Sequence, residues 1–202
     1  GSHLFHAASI WALDIASKIV DMVFYSSVAE NNEIVQKAKE EFRNGMVIPR
    51  EDIEDYIKEA DCILIGPGMV RTENQESGIR NQELSFEEIN KLEDEGLQSY
   101  FLTKYLLGKY PEKKWVIDAG ALQMMDPEWL KALENVIITP HPQECERVFG
   151  NEYPISNVQY PMSNVVENIS KDYNCVVLLK GEKDVVCASD RCAEISGGNA
   201  GM

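Results

Sequence analysis

Residues 136–150 read VIITPHPQECERVFG, and the interpretation of this stretch decides the fold. Val136-Ile137-Ile138 is an apolar run long enough for one buried strand. Thr139 and Pro140 end it, because proline has no N–H to offer a strand ladder. Pro142 suits a first helical turn, where its missing donor is not needed, and residues 143–149 continue as helix. Glu144 falls in that first turn, where the helix dipole favours negative charge. His141 is therefore set at the carboxyl end of a strand and beside a helix N-terminus. Open α/β sheets bind their ligands at such a place. A loop histidine hydrogen-bonded to backbone is the plainer alternative, and this stretch alone does not choose between the two.

Outward from this stretch, strands and helices alternate along the whole chain. Toward the N-terminus, helix is expected over residues 7–19, 31–42, 51–60 and 85–108, with strands at 22–25, 62–65 and 115–117. Asp126 is placed to cap a short helix through Leu133. Toward the C-terminus, helix is expected over 162–173 and a strand over 175–179. Residues 185–188 and 192–195 form an antiparallel pair around Ser189-Asp190-Arg191. Residues 69–83 are polar and aperiodic, which predicts a long loop. Strands separated by helices imply an α/β fold with a mostly parallel central sheet and helices on both faces. No repeat or linker divides the 202 residues, so one domain is expected.

The composition narrows the function. The net charge of −15 argues against general nucleic-acid binding, since nothing would offset phosphate repulsion. A nucleotide site remains open, because backbone N–H groups, one lysine and a metal ion suffice to build it. The five cysteines (62, 145, 175, 187 and 192) are odd in number and contain no CxxC pair. Buried thiols in a reducing cytoplasm are expected, rather than a disulfide framework or a zinc site. No apolar run approaches the roughly 18 residues of a membrane span, and no signal peptide is visible.

Four strand ends carry distinctive residues: Gly66-Pro67-Gly68, Asp118-Ala119-Gly120, Thr139-Pro140-His141 and Lys180-Gly181. In a parallel sheet all four share the carboxyl edge and can converge on one crevice. Gly66 and Gly68 remove side chains where a ligand must approach backbone. Lys180 offers a point charge for a phosphate. Glu144 is an oxygen donor of the kind a magnesium ion takes, or simply a first-turn helix glutamate.

The ordered segments IGPGM, VIDAGAL, IITPHPQE, VVLLKG and GGNAGM resemble the ADP/ATP-dependent NAD(P)H-hydrate dehydratase family, a branch of the ribokinase-like fold. Residues 2–12, SHLFHAASIWA, are similar to that family's GS-x-x-[YF]-H-G-A-P helix start. Gly1-Ser2-His3 is then either native sequence from a glycine-rich turn or the scar of a removed tag. The resemblance implies a three-layer ribokinase-like domain over 1–202. It further implies dehydration of hydrated NADH or NADPH (NADHX, NADPHX) driven by ADP or ATP with Mg2+, in a cytoplasmic homo-oligomer. Carried over by position, Ala8, Gly68 and His141 contact the hydrated nucleotide. Lys180, Gly181, Glu182, Lys183 and Asp184 form the nucleotide-phosphate segment, and Glu144 supports magnesium.

The chain also departs from the family pattern. Ala7-Ala8-Ser9 stands where Gly-Ala-Pro is usual, and Ile19-Val20-Asp21 where small glycines are usual. Asp184 replaces a common threonine and sets a carboxylate beside the phosphate segment. The family's first strand is expected upstream of Gly1. Its GTGD-containing segment, with the catalytic base, is expected downstream of Met202, so no catalytic residue is assigned within the chain. Two other functions stand beside this one. A ribokinase-like small-molecule kinase is disfavoured by His141, where sugar kinases more often carry asparagine. A non-catalytic nucleotide-binding protein would bind without turnover.

Overall fold

The computed structural model describes residues 1–38, 40–72, 77–154 and 161–197. The chain opens with helix α1 (His6–Ser17), strand β1 (Val23–Tyr25), helix α2 (Ala29–Lys37) and strand β2 (Gly45–Val47). β1 and β2 pair in parallel as a small sheet of their own, closed by Leu13, Tyr25, Val35 and Phe42. A 3-10 turn (Arg50–Asp52) leads into α3 (Ile53–Glu59) and then β3 (Cys62–Ile65), the first strand of the large sheet. The crossover to β4 (Lys114–Ile117) runs through α4 (Ser77–Arg80), α5 (Phe86–Asn90) and α6 (Glu95–Lys109). Helix α7 (Ala119–Met124) and a 3-10 turn (Pro127–Ala132) lead to β5 (Asn135–Ile138). Helices α8 (Pro142–Phe149) and α9 (Met162–Asp172) lead to β6 (Val176–Leu179). A hairpin of β7 (Lys183–Ala188) and β8 (Arg191–Ser196) completes the described chain.

The large sheet has the order β3-β4-β5-β6-β7-β8, parallel from β3 to β6 and antiparallel after that. Alternation along the strands sends Ile65, Trp115, Ile117, Val136, Ile138, Val177 and Leu179 into one core with α6, α7, α8 and α9. Each such large side chain removed from water contributes about 1.5–3 kcal/mol. The other face carries Leu64, Val116 and Ile137 in register. Leu64 is 48% and Ile137 40% exposed, so the described helices leave that face partly open.

Several elements differ from the sequence expectation for local reasons. The single helix expected over 85–108 is two, because it contains two capping signals. Ser85 and Glu88 form a capping box at α5, and Asp94 accepts from the Leu97 N–H at 2.8 Å to start α6. The helix expected over 31–42 begins at Ala29 and stops at Lys37, leaving Phe42 to fill the small core. β2 and α7 were not expected at all. The aperiodic stretch 69–83 holds the short α4, while its residues 73–76, like the GNAGM segment at 198–202, lie outside the described residues.

The cysteine expectation needs correction. Cys187 and Cys192 form a disulfide across the β7–β8 hairpin. The hairpin register sets them directly opposite, with Cα atoms 4.2 Å apart, close enough for a bridge once the strands pair. Counting and spacing do not reveal a cross-strand pair, because only the register makes them neighbours. Cys145 and Cys175 are buried thiols as expected, whereas Cys62 is exposed. No helix among the described residues is long and apolar enough to cross a membrane.

Candidate active site at the carboxyl edge of the sheet

The exits of β3, β4, β5 and β6 meet at one edge, and backbone bonds hold them in register there. Asp118 N–H donates to Ile65 O at 3.0 Å, Thr139 N–H to Ile117 O at 3.1 Å, and Lys180 N–H to Pro140 O at 2.8 Å. Gly66 has φ +119, and a Cβ on it would stand 1.7 Å from the Asp118 carbonyl oxygen. Only glycine allows the loop to cross there. At Gly68, with φ +69, a Cβ would stand 2.1 Å from the Phe5 carbonyl oxygen at the start of α1, the helix that carries the half-buried Ala8. The Gly66-Pro67-Gly68 loop therefore bridges the start of α1 and the exit of β4.

Asp118 occupies the N-cap position of α7 yet makes no capping hydrogen bond with its side chain. Its Oδ1 instead accepts from Thr139 Oγ1 at 2.8 Å and from Lys180 Nζ at 2.7 Å. The next residue, Ala119, has φ +43, a left-handed conformation that non-glycine residues avoid. Such strain persists only where surrounding bonds over-determine it, and it clusters at functional sites. Beyond Lys180, the Gly181 N–H donates to Asp184 Oδ1 at 2.9 Å, which closes the turn before β7. Asp184 thus shapes the loop that follows Lys180, while Glu182 and Lys183 are exposed beside it.

His141 is the N-cap of α8. Its Nδ1 accepts the Glu144 N–H at 3.3 Å, and Glu144 Oε2 accepts the His141 N–H at 2.9 Å. This reciprocal pair is a capping box with histidine in the usual serine role. An accepting Nδ1 places the ring proton on Nε2. Nε2 lies 3.6 Å from Glu144 Oε1, beyond hydrogen-bond reach, so it is left to donate elsewhere. Cys145, next along α8, is no nucleophile: burial, with a contribution from Glu146, pushes its thiol up to about 12.

Glu144 is 5% exposed, and its Oε1 also accepts from Gln123 Nε2 at 2.7 Å. Gln123 Oε1 in turn accepts from Arg71 Nη1 at 2.8 Å. Among the described residues no group of three His, Cys, Asp or Glu stands close enough to hold a metal ion. An all-protein magnesium cage is therefore not formed among the described residues, and both Glu144 oxygens already accept hydrogen bonds.

Of the residues singled out from sequence, the structure brings Gly68 to the start of α1, the helix that carries Ala8. Asp118, Thr139 and Lys180 meet directly. Asp118 and Thr139 carry a visible sequence signal as strand-end polar residues, but that signal assigns them no role. Arg71 and Gln123 had no signal: one lies in an aperiodic loop, the other on a helix of six residues.

The NAD(P)H-hydrate dehydratase family profile matches residues 1–202. The ADP-dependent (S)-NAD(P)H-hydrate dehydratase of Nitrosopumilus maritimus is 30% identical over 188 residues, which cover 92% of this chain and 58% of that protein. A ribokinase-like superfamily protein from Enterococcus faecalis superposes with a TM-score of 0.73 at 18% identity, over 100% of this chain and 62% of that one. The ADP/ATP-dependent NAD(P)H-hydrate dehydratase of Bacillus subtilis, co-crystallised with ATP and Mg2+, superposes with a TM-score of 0.63 at 20% identity, over 98% and 62%. The fold is therefore ribokinase-like. The chain spans less than two thirds of the length of each of these three proteins.

Proposed function

Because this chain belongs to the NAD(P)H-hydrate dehydratase family, we propose that it removes the added water from hydrated NADH or NADPH, using ADP or ATP. In this reaction the hydroxyl at C6 of the nicotinamide ring loses its proton to solvent as its oxygen attacks the terminal phosphoryl group of the nucleotide, whose bond to its bridging oxygen breaks. The phosphate then leaves C6 with the bonding electrons. A proton departs from the neighbouring carbon, and the ring double bond re-forms.

The observation that carries this reading is the pairing, at one edge, of a histidine whose Nε2–H makes no hydrogen bond among the described residues and a lysine whose ammonium is held by Asp118. His141 Nε2–H would donate to the nicotinamide end of the hydrate and fix its orientation. Gly68, and Ala8 on the helix that starts beside it, would line the approach without side-chain bulk. Lys180 would exchange Asp118 for a phosphate oxygen, with the 180–184 turn supplying backbone N–H groups. Asp184 would shape that turn rather than touch phosphate. Magnesium, carried on the nucleotide's own phosphates, supplies charge neutralisation at the transferring group when bound. The reading extends to a homo-oligomer, which the molar mass of the intact protein in solution tests.

The deciding experiment incubates the intact protein with NADH hydrate, ADP or ATP and magnesium, and follows the near-ultraviolet absorbance of NADH. Nucleotide-dependent recovery of NADH supports the proposal. Hydrate and nucleotide binding without recovery identifies a non-catalytic binding protein, and loss of both overturns the assignment of this edge.

A further inference from the structure

Three side chains from three successive strand exits form one hydrogen-bonded line that ends on the main-chain N–H of His141. Arg71 leaves β3 and donates to Gln123 on α7, and Gln123 donates to Glu144 on α8. Glu144 accepts the His141 N–H on its other oxygen. The polarity of the line is set at its first member. A guanidinium only donates, so Gln123 must turn its carbonyl oxygen toward Arg71 and its amide toward Glu144. An ionised carboxylate only accepts, so Glu144 suits both N–H groups that reach it.

Burial assigns the ends of this line. Glu144 is 5% exposed, whereas the His141 side chain is 33% exposed at the carboxyl edge of the sheet. The buried carboxylate is the anchor, and the imidazole is the group presented. An ion entering at Glu144 would compete with two N–H donors already directed at its oxygens.

We propose that Arg71 and Gln123 are positioning residues that act through Glu144 to orient His141, and that Glu144 serves this line rather than magnesium. The assignment rests on His141 being the group that faces the hydrate. Arg71→Met should loosen the line from its outer end, and Gln123→Glu should break it by setting a second carboxylate against Glu144. Arg71→Lys should restore it, since an ammonium also only donates.

The test uses the intact protein labelled with 15N-histidine, with the His141 ring signals identified by their loss in His141→Ala. The native ring should show an unprotonated Nδ1 and a protonated Nε2. Arg71→Met and Gln123→Glu should loosen the Glu144 carboxylate from the His141 main-chain N–H, weaken with it the reciprocal Glu144 N–H bond to Nδ1, and so shift these signals toward a tautomer mixture and raise the KM for hydrate about fivefold or more. Arg71 is exposed, so its variant keeps the fold even if Gln123→Glu does not. The magnesium dependence of ATP binding should change less than about twofold in Glu144→Gln. Unchanged ring signals in Arg71→Met and Gln123→Glu would overturn the positioning role. A weakening of magnesium-dependent ATP binding by about tenfold or more in Glu144→Gln would overturn the second half and return Glu144 to the metal. If the protein binds ATP but does not turn over hydrate, the function falls while ring signals and ATP binding still decide this proposal.

Discussion

At the scale of single residues, the carboxyl edge turns on one group diverted from ordinary structural work. Asp118 stands where an aspartate would cap α7, but its carboxylate is spent on Thr139 and Lys180. His141 does cap its helix, and doing so fixes which ring nitrogen is free. Removing that donor with His141→Ala should raise the KM for hydrate about tenfold while leaving nucleotide affinity within about twofold. Steady-state kinetics and nucleotide titration read the two separately, and equal loss of both would remove His141 from the hydrate. Gly66 carries a second residue-scale prediction. A Cβ there would stand 1.7 Å from the Asp118 carbonyl, at φ +119, so Gly66→Ala should cost about 2 kcal/mol or more. The urea midpoint should fall with an unchanged slope.

Among the elements, the β7–β8 hairpin departs furthest from expectation. Its disulfide ties the strand after the Lys180 turn to the last described strand. Burial pushes the thiols of Cys145 and Cys175 up to about 12, so neither reacts at neutral pH while the fold is intact. Native, unreduced protein should therefore take one maleimide, at exposed Cys62. Unfolding without reductant should expose three thiols, and unfolding with reductant five. Intact mass reads the count directly. Five without reductant would mean that the hairpin holds two thiols instead of a bridge.

For the molecule as a whole, acid stability should depend on a cluster far from the crevice. Glu54 on α3 accepts from Lys109 and Tyr110 at the end of α6, at 2.5 and 2.8 Å. Burial by itself would raise the Glu54 carboxyl. The hydrogen bonds from Lys109 and Tyr110, the Lys109 charge and Tyr105 outweigh it and hold the carboxyl below its ordinary value. A carboxyl lowered in the folded state stabilises fully above its unfolded value of about 4.3, and that contribution is lost as pH falls through the folded value. Glu54→Gln should lower stability at neutral pH and flatten the fall in stability below about pH 4. Urea unfolding across that range measures it; parallel curves for the two proteins would discount the cluster.

The amino-acid sequence alone determined the alternation of strands and helices, the parallel sheet, the hairpin and the strand ends that meet at its carboxyl edge. Those features follow from local periodicity and from proline and glycine chemistry, which act within a few residues. The split of α5 from α6 was legible too, in Ser85 and Asp94, but the long apolar stripe of residues 85–108 hid it. Tertiary structure alone decided the rest. Cys187 meets Cys192 only through strand register. Arg71, Gln123 and Glu144 lie far apart in the chain, and each has an unremarkable neighbourhood there. Their hydrogen-bond polarity acquires meaning only when three strands end side by side. The Glu144 carboxylate, an isolated oxygen donor in one dimension, accepts from two N–H donors in three.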